Sequence, residues 1–357
     1  MIGIITQPLG YNYGGILQNY ALQRTLENIG FNSITLDVGY RYANVRFFFS
    51  KIETQILNCF GINRPYPPKP FKNKSIPSKT GIFIFNKIKT TKPYNRYSSS
   101  ILKKYKINVV IVGSDQVWRP IYNESIENMF LDFVGNKYVK IAYAASFGTD
   151  EWEYGKDDTD RCRALIKSFA GVSVRERSGI KLVKERLKYE SVEFVLDPTM
   201  LLNKEHYLSL CNIVPQKENK YICLYILDVT DKTKEIAKRL SEQMRMPIRQ
   251  IYAHGSMKLT VEEWLSCIRD ASFVITDSFH GMVFSIIFNR EFIVIPNDNR
   301  GNSRFLSLLE ILGLNSRVYD PLTKEMPIDW TLVNKRLEHY KIVSLSFLKK
   351  HLQNVEN

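Results

Sequence analysis

The hexapeptide TDSFHG, residues 276–281, carries side chains that proton transfer and anion binding require. It follows the short apolar run Phe273–Ile275, whose length and β-branched content predict a buried strand. The polar residues at its start favour turns and helix N-caps, because their side-chain oxygens accept hydrogen bonds from nearby backbone N–H groups. An apolar stretch long enough for a helix comes next. The histidine therefore stands between a strand and a helix.

His280 is the first catalytic candidate because of this position. Open α/β sheets bind their ligands where the strands end and the helices begin. A helix N-terminus offers unpaired N–H groups and a partial positive charge, which suit an anion. An imidazole side chain, with an ordinary pKa of about 6.5, exchanges protons near neutral pH. The alternative is a histidine that only caps the helix.

Polar clusters also end four predicted strands in the first half of the chain. They are Gly113–Trp118, Ser146–Gly148, Arg175–Ser178 and Asp197–Thr199. Because the carboxyl ends of parallel strands meet at one edge of a sheet, we expect these clusters to line a shared cleft.

The N-terminus has the pattern of a Rossmann-type βαβ unit. A strand over residues 1–7, a turn rich in glycine and asparagine over 8–15, a helix over 16–29 and a strand over 31–38 follow one another. The turn lacks both G-x-G-x-x-G and G-x-x-x-x-G-K-[ST], so neither a dinucleotide nor a P-loop nucleotide is indicated. Gly14 and Gly15 let the backbone approach a ligand closely, with Asn12 and Gln18 as polar groups within reach.

A chain of 357 residues exceeds what one hydrophobic core usually supports, so two domains are expected. The alternation of strands and helices pauses at a polar, turn-rich segment, residues 201–219, and then resumes. We predict an N-terminal Rossmann-like domain over 1–200, a linker over 201–219, and a C-terminal Rossmann-like domain with His280 over 220–330. Two helical stretches follow over 331–357.

The net charge of +14 is concentrated in one stretch. Residues 54–114 contain twelve Lys or Arg and no Asp or Glu. Within it, residues 61–106 are predicted to form a basic, proline-rich insertion that is flexible over 65–93. A localised basic surface indicates an anionic partner: a membrane face, a phosphate-bearing substrate or nucleic acid. Nucleic acid is the least favoured because no recognised binding motif accompanies the charge. A solvated loop without a partner is the alternative.

Several classes of protein are disfavoured by composition. The five cysteines are scattered, which indicates reduced thiols in a cytoplasmic protein rather than a disulfide framework or a structural zinc site. No cluster has metal-ligand spacing, so we expect no obligatory metal and no cofactor. No run of about 18 apolar residues could span a bilayer, and no secretory signal is recognisable at the start. We expect a cytoplasmic location, with peripheral contact at the inner membrane face left open.

Six motifs in order resemble the polysaccharide pyruvyl transferase family: GYNYGGILQNYALQ, VGSDQVW, YAASFG, SVRERSG, VLDPT and TDSFHG. The resemblance covers most of the chain apart from residues 65–93 and the last thirty or so. It implies an α/β, GT-B-like fold, with two Rossmann-like domains whose parallel sheets face each other across a cleft. It also implies transfer of the pyruvyl group of phosphoenolpyruvate onto a sugar as a cyclic ketal. Some members of the family act on sugars carried on a lipid pyrophosphate.

The resemblance also implies roles for individual residues. His280 would protonate phosphoenolpyruvate, and Arg175 would anchor it through the planar guanidinium. An ion pair of Arg175 with Glu176 or Asp197 is the alternative. Several relatives carry arginine at the position of Ser278, two residues before the histidine. Here the missing charge is expected from Arg304 or, as a second choice, His254.

The remaining candidates lie where the first domain would meet the cleft. Asp115 could serve as the base or bind sugar hydroxyls, with a purely structural turn as the alternative. Ser114 and Gln116 are candidate substrate contacts beside it. A GT-B glycosyltransferase that uses a nucleotide sugar is the alternative function, because a fold alone does not determine function.

Overall fold

The computed structural model describes residues 1–10, 12–38, 55, 79–211, 220–253, 259–297, 301–321 and 326–353. Three predictions fall wholly or partly outside these residues. They concern His254, residues 212–219 of the linker, and residues 61–78 of the basic insertion.

Among the described residues, the first domain contains six parallel strands in the order β2-β1-β3-β4-β5-β6. The strands are β1 Ile2–Ile5, β2 Ser33–Thr35, β3 Val109–Val112, β4 Val139–Ala145, β5 Gly171–Val174 and β6 Val192–Phe194. The central strands are rich in β-branched residues and buried on both faces, as parallel strands covered by helices must be. The register aligns their carboxyl ends, with Ile5 opposite Val112 and Val112 opposite Ala142.

Helices cover this sheet. They are α1 Tyr13–Asn28, α2 Lys79–Lys87, α3 Ser99–Lys104, α4 Lys156–Ile166, α5 Arg177–Leu187 and α6 Lys204–Leu210. Short 3₁₀ turns occur at Pro120–Tyr122, Ile126–Phe130 and Pro198–Met200.

In its described part, the second domain contains four parallel strands in the order β10-β9-β7-β8. They are β7 Ile222–Ile226, β8 Ile248–Tyr252, β9 Phe273–Thr276 and β10 Glu291–Val294. Its helices are α7 Asp231–Met244, α8 Val261–Asp270, α9 Phe279–Ile287 and α10 Ser303–Leu312, with a 3₁₀ turn at Asn315–Arg317 and the terminal helix α11 Trp330–Leu352. Two α/β domains with parallel sheets confirm the predicted fold class.

Helix α1 begins three residues earlier than predicted. Gly14 and Gly15 lie in its first turn and not in a loop. Asn12 caps the helix, since its Oδ1 accepts a hydrogen bond from Gly14 N at 3.0 Å. Glycine is a poor helix former, but tertiary packing overrides this propensity here because both glycines are buried.

The C-terminal region is one 23-residue helix, where two stretches were predicted. No glycine or proline interrupts residues 330–352, and one face of α11 packs back onto the first domain. Ser344 Oγ accepts a hydrogen bond from Leu196 N at 2.9 Å, and the ring centroid of Phe347 lies 6.1 Å from that of Tyr143.

Two segments that were predicted to be irregular belong to the folded core. Helix α6 occupies part of the predicted linker, because Tyr207 is buried there and donates a hydrogen bond to Thr199 O at 2.7 Å. Residues 79–106 of the predicted insertion contain α2 and α3. Backbone hydrogen bonds join this segment to β2: Thr35 N donates to Lys89 O, and Thr91 N donates to Thr35 O, both at 2.9 Å.

The two domains share a continuous hydrophobic core. The Tyr13 ring at the start of α1 stacks on Trp264 of the second domain with 5.2 Å between the centroids. Its hydroxyl donates to Leu259 O at 2.8 Å. This packing fixes the start of α1 against the second domain, next to the candidate histidine. Within the described part of the chain, no helix combines the length and hydrophobicity that crossing a bilayer requires.

Candidate functional site

Loops at the carboxyl ends of strands from both domains supply the polar groups of the site. The segment after β3 supplies Ser114 and Asp115, the one after β5 supplies Arg175, and the one after β6 supplies Asp197. His280 follows β9 of the second domain. All five are buried. The prediction that strand-end clusters share one edge is therefore confirmed for these three segments of the first sheet, whose side chains are in contact with one another.

Arg175 is held between two carboxylates. Its Nη1 donates to Asp197 Oδ2 at 2.7 Å, and its Nη2 donates to Asp115 Oδ1 at 3.2 Å. The predicted alternative, an ion pair, is therefore present with Asp197. The ring of Phe279, from the second domain, lies 4.8 Å from the guanidinium carbon. Burial disfavours the charge of Arg175, but the two carboxylates outweigh it and raise its pKa.

Asp197 contacts charged side chains from both domains, Arg175 and His280. The sequence analysis assigned it no functional role. Its Oδ2 accepts from Arg175 and from Ser114 Oγ (3.0 Å) and lies 3.7 Å from His280 Nε2. Its Oδ1 accepts from Thr199 Oγ1 at 2.7 Å. Burial opposes ionisation, but His280, Arg175 and the Thr199 hydroxyl hold the pKa of Asp197 well below its usual range. The VLDPT motif marked the position as a strand end, but its partners were not visible in the sequence.

His280 lies in the first turn of α9 but does not cap it. The cap is Ser278, whose Oγ accepts from Gly281 N at 3.3 Å. The imidazole packs against the Cα of Gly14, and any Cβ at residue 14 would overlap its Nδ1. Gly14 thus leaves room for the ring, because any larger residue at this position would overlap the imidazole. At 3.7 Å the contact with Asp197 has the distance of an ion pair and is too long for a good hydrogen bond.

Arg304 and Glu176 complete the charged cluster. The guanidinium carbon of Arg304 lies 5.7 Å from the centroid of Phe279, the ring that Arg175 also contacts. Burial and the nearby charge of Arg175 lower the pKa of Arg304 to about 10. Glu176 is fully buried and accepts from Phe147 N at 2.7 Å, and burial raises its pKa.

Other predicted binding residues are engaged in internal hydrogen bonds. Gln18 Oε1 accepts from Ser114 N at 3.1 Å, and its Nε2 donates to Thr6 Oγ1 at 2.8 Å. Gln18 therefore positions the turn after β3. Gly15 lies below Asp115, because a Cβ at residue 15 would lie 3.4 Å from Asp115 Oδ2. The structure brings these residues to the site, where they orient Asp115.

Four buried nitrogen atoms near the cluster make no hydrogen bond within the part of the chain that the structure describes. They are His280 Nε2, Arg175 Nε, Gln116 Nε2 and Arg119 Nη1. Buried polar atoms almost always have a partner, so each such group calls for an explanation. A ligand rich in acceptor oxygens, such as a phosphate, a carboxylate or a sugar, could satisfy them. Among the described residues no three His, Cys, Asp or Glu side chains are grouped to hold a metal ion, and the absence of a metal stays a prediction.

Comparison with known proteins gives a family and a fold. The family model for polysaccharide pyruvyl transferase matches residues 12–299. No curated protein matches the chain. Among solved structures, the chain is similar to UDP-GlcNAc 2-epimerase from Neisseria meningitidis bound to UDP-GlcNAc, with TM-score 0.51 and 9% identity over 99% of this chain and 100% of that one. It is also similar to the S. aureus MnaA–UDP structure, with TM-score 0.49 and 13% identity over 95% and 90% of the two chains. A glycosyltransferase from Rickettsia africae has TM-score 0.43 and 12% identity over 99% and 97%. At 9% identity, the similarity to the Neisseria epimerase shows the fold alone.

Proposed function

Because the chain belongs to the polysaccharide pyruvyl transferase family, we propose that it moves the pyruvyl group of phosphoenolpyruvate onto a hexose of a polysaccharide or of its lipid-linked precursor. The product is a cyclic pyruvate ketal, and phosphate is released. One observation supports the proposal most strongly: His280 and Arg175, from different domains, both contact Asp197 Oδ2, at 3.7 and 2.7 Å. The proposed acid thus lies beside a guanidinium, a group that is suited to bind an anion.

The first half of the proposed reaction is an addition. The imidazolium of His280 donates a proton to the methylene carbon of phosphoenolpyruvate, and the adjacent carbon becomes an electrophile like an oxocarbenium ion. A sugar hydroxyl attacks this carbon and gives its proton to Asp115. Asp115 Oδ1 is occupied by Arg175 and by Gln116 N (2.9 Å), so Oδ2 is the oxygen that accepts this proton.

The second half is an elimination and a ring closure. The carbon–oxygen bond to phosphate breaks, and phosphate leaves with the electron pair and a proton. A second hydroxyl of the same sugar then attacks the same carbon and loses its proton, which closes the ketal. The imidazole and the carboxylate end the cycle in their starting protonation states when they exchange these protons with the leaving phosphate and with solvent.

Arg304 is the proposed main anchor for the donor's negative charge, with Arg175 Nε as a second donor. Burial and Arg175 lower the pKa of Arg304 to about 10, so its charge is kept at neutral pH but is less stable than that of an exposed arginine. A bound phosphate or carboxylate would offset that cost, because an opposite charge within about 4–6 Å favours the charged form.

The proposed test mixes the purified protein and phosphoenolpyruvate with a panel of free and lipid-linked hexosides. Phosphate should be released and the product should gain a pyruvyl mass. His280→Ala should lower the rate by about 10²–10⁴-fold, the usual contribution of a general acid, while cooperative unfolding in urea shows that the variant is still folded. A mutant that keeps its turnover would remove His280 from the mechanism. A melting temperature raised by UDP-hexoses and not by phosphoenolpyruvate would instead favour a nucleotide-sugar glycosyltransferase.

A basic face around α2 is proposed to contact an anionic membrane that carries a lipid-linked acceptor. All eight lysines and arginines between residues 79 and 106 are exposed. Phe83 anchors α2 in the core, whereas Phe85 is 88% and Ile82 54% exposed. Exposed apolar side chains among cations are typical of peripheral membrane contact.

Flotation with vesicles of anionic phospholipid tests this contact. The double variant Phe85→Ser with Ile82→Ser should lose binding to the vesicles. The control Ile342→Ser replaces an isoleucine of α11 that is 58% exposed, and it should bind like the wild type. Equal flotation of all three proteins would refute the membrane proposal and leave the reaction untouched.

A further inference from the structure

A second polar cluster lies beside the charged site, on the segment that follows β3. Arg119 is its centre and is 7% exposed. Its Nε and Nη2 donate to Glu153 Oε2 and Oε1 at 3.1 and 3.0 Å. Its Nη1 is buried and makes no hydrogen bond with any residue that the structure describes. Nη1 of this guanidinium therefore lacks an acceptor among the residues that the structure describes.

An exposed aromatic ring adjoins this arginine. The centroid of Tyr122 lies 5.5 Å from the guanidinium carbon of Arg119, and the residue is 38% exposed. Such a ring offers an apolar face to a ligand and is held in place by its contact with the cation.

The amide of Gln116 forms the other side of the cluster. It lies against Gly148, where any Cβ would overlap Gln116 Nε2 and would lie 3.2 Å from Arg119 Cδ. Gly148 has φ +75°, in the left-handed region that favours glycine. Gln116 Nε2 is a second buried donor without a partner among the described residues.

This cluster is continuous with the catalytic candidates. Asp115 Oδ1 accepts from Gln116 N at 2.9 Å and from Arg175 Nη2 at 3.2 Å. A ligand held by Arg119 and Tyr122 would therefore extend towards Asp115, the proposed base.

We infer that Arg119, Gln116 and Tyr122 form the subsite for the acceptor sugar, an inference that rests on the proposed function. Glu153 already neutralises Arg119, so the cluster favours a neutral ligand over a second anion. Arg119 and Gln116 are planar donors, Asp115 is a carboxylate, and Tyr122 offers an aromatic face. These groups match a hexose, which has vicinal hydroxyls and an apolar ring face. Arg119 and Gln116 would donate to hydroxyls of the bound hexose, and Tyr122 would pack on its ring.

Saturation-transfer NMR with a panel of p-nitrophenyl hexosides, with and without phosphoenolpyruvate, tests the subsite directly. The wild-type protein should bind at least one hexoside, and Tyr122→Ala should weaken that binding by about tenfold. Tyr122→Phe keeps the ring and should bind like the wild type. Tyr252→Ala, which removes a tyrosine of matched exposure (37%) on β8, should have no effect. Arg119→Lys keeps a positive charge for Glu153 but loses Nη1, and should weaken binding several-fold.

The melting-temperature shift caused by phosphoenolpyruvate separates this inference from the proposed reaction. It should be the same in the wild type, Tyr122→Ala and Arg119→Lys. Hexoside binding that survives both substitutions, or a wild-type protein that binds no hexoside under either condition, would overturn the subsite. Hexoside binding that depends on Tyr122 without any response to phosphoenolpyruvate would support the subsite and refute the donor.

Discussion

Arg175 and Arg304 are two buried arginines that lie near the ring of Phe279, but their pKa values shift in opposite directions. Arg175, from the first domain, contacts two carboxylates, and their charges raise its pKa in spite of burial. Arg304, from the second domain, has a pKa lowered to about 10 by burial and by Arg175 itself. The carboxylates around Arg175 outweigh the cost of its burial, whereas around Arg304 burial and Arg175 outweigh the nearby carboxylates Glu176 and Asp115. This difference is the reason why Arg304 is the proposed anchor for an anionic substrate.

Replacing each arginine in turn is the most direct test of this difference. Arg175→Met should lower the free energy of unfolding by about 3–5 kcal/mol, because it leaves Asp197 as a buried carboxylate without its main cation. Arg304→Met should change it by less than about 1 kcal/mol or increase it. Urea unfolding without ligand measures both. Similar losses for the two variants would show that the arginines do not differ.

The stabilisation by phosphoenolpyruvate should depend more on Arg304 than on Arg175, the reverse of their order in the protein without ligand. At a ligand concentration of about 100 times the dissociation constant, the wild type should gain about 2.7 kcal/mol of stability. Arg304→Met should lose most of this gain. Arg290→Met serves as the control, because burial also lowers the pKa of Arg290 but it lies near Asp270 and Tyr221, apart from the site. A full ligand response in Arg304→Met would move the anchor elsewhere.

Gly14→Ala tests how strictly the first domain positions the histidine of the second. The added methyl overlaps His280 Nδ1, so either the ring or the start of α1 must move. Displacing a catalytic group by about 1 Å can cost about 10²-fold in rate. Steady-state turnover should fall by up to this amount, with a smaller loss of stability. Gly135→Ala, with open space around the new methyl, should turn over like the wild type.

The pH dependence of stability should separate Asp197 from its neighbours. Its folded-state pKa is lowered, so its contribution is complete above the unfolded-state value of about 3.9 and is lost as the pH falls through and below it. The stability difference between the wild type and Asp197→Asn should therefore be largest near neutral pH and shrink between about pH 5 and pH 3. A constant difference would mean that the charge of Asp197 contributes nothing. Unfolding in urea across this range measures it.

Sequence patterns predicted the helices and strands well where an apolar run was bounded by turn residues. Strand β9, for example, covers Phe273–Thr276, and the apolar run that predicted it is Phe273–Ile275. Predictions were wrong where tertiary packing outweighs local preference. The glycines of α1 are helical because Asn12 caps them and the second domain covers them. The segment 204–210 looked polar, but Tyr207 is drawn into the core beside Phe284.

The candidate site divides in the same way. His280 and Asp115 were recognisable as candidates because each is a polar residue at the end of an apolar strand, and Arg175 through the family resemblance. The role of Asp197 was not recognisable, although it also ends a strand. Its significance comes from contacts with Arg175 and His280, and the second of these requires the two domains to be packed together.

The sequence alone determined that parallel strands end in ionisable groups, because local hydrophobic runs and turn residues encode where each strand stops. It also determined the family, through six ordered motifs. Only the tertiary structure decided which of those groups meet and that Gly14 leaves room for an imidazole. It also decided that the pKa values of Arg175 and Arg304 shift in opposite directions. The physical reason is that hydrogen bonds, ion pairs and burial depend on distances between residues far apart in the chain, and these distances exist only after both domains have packed.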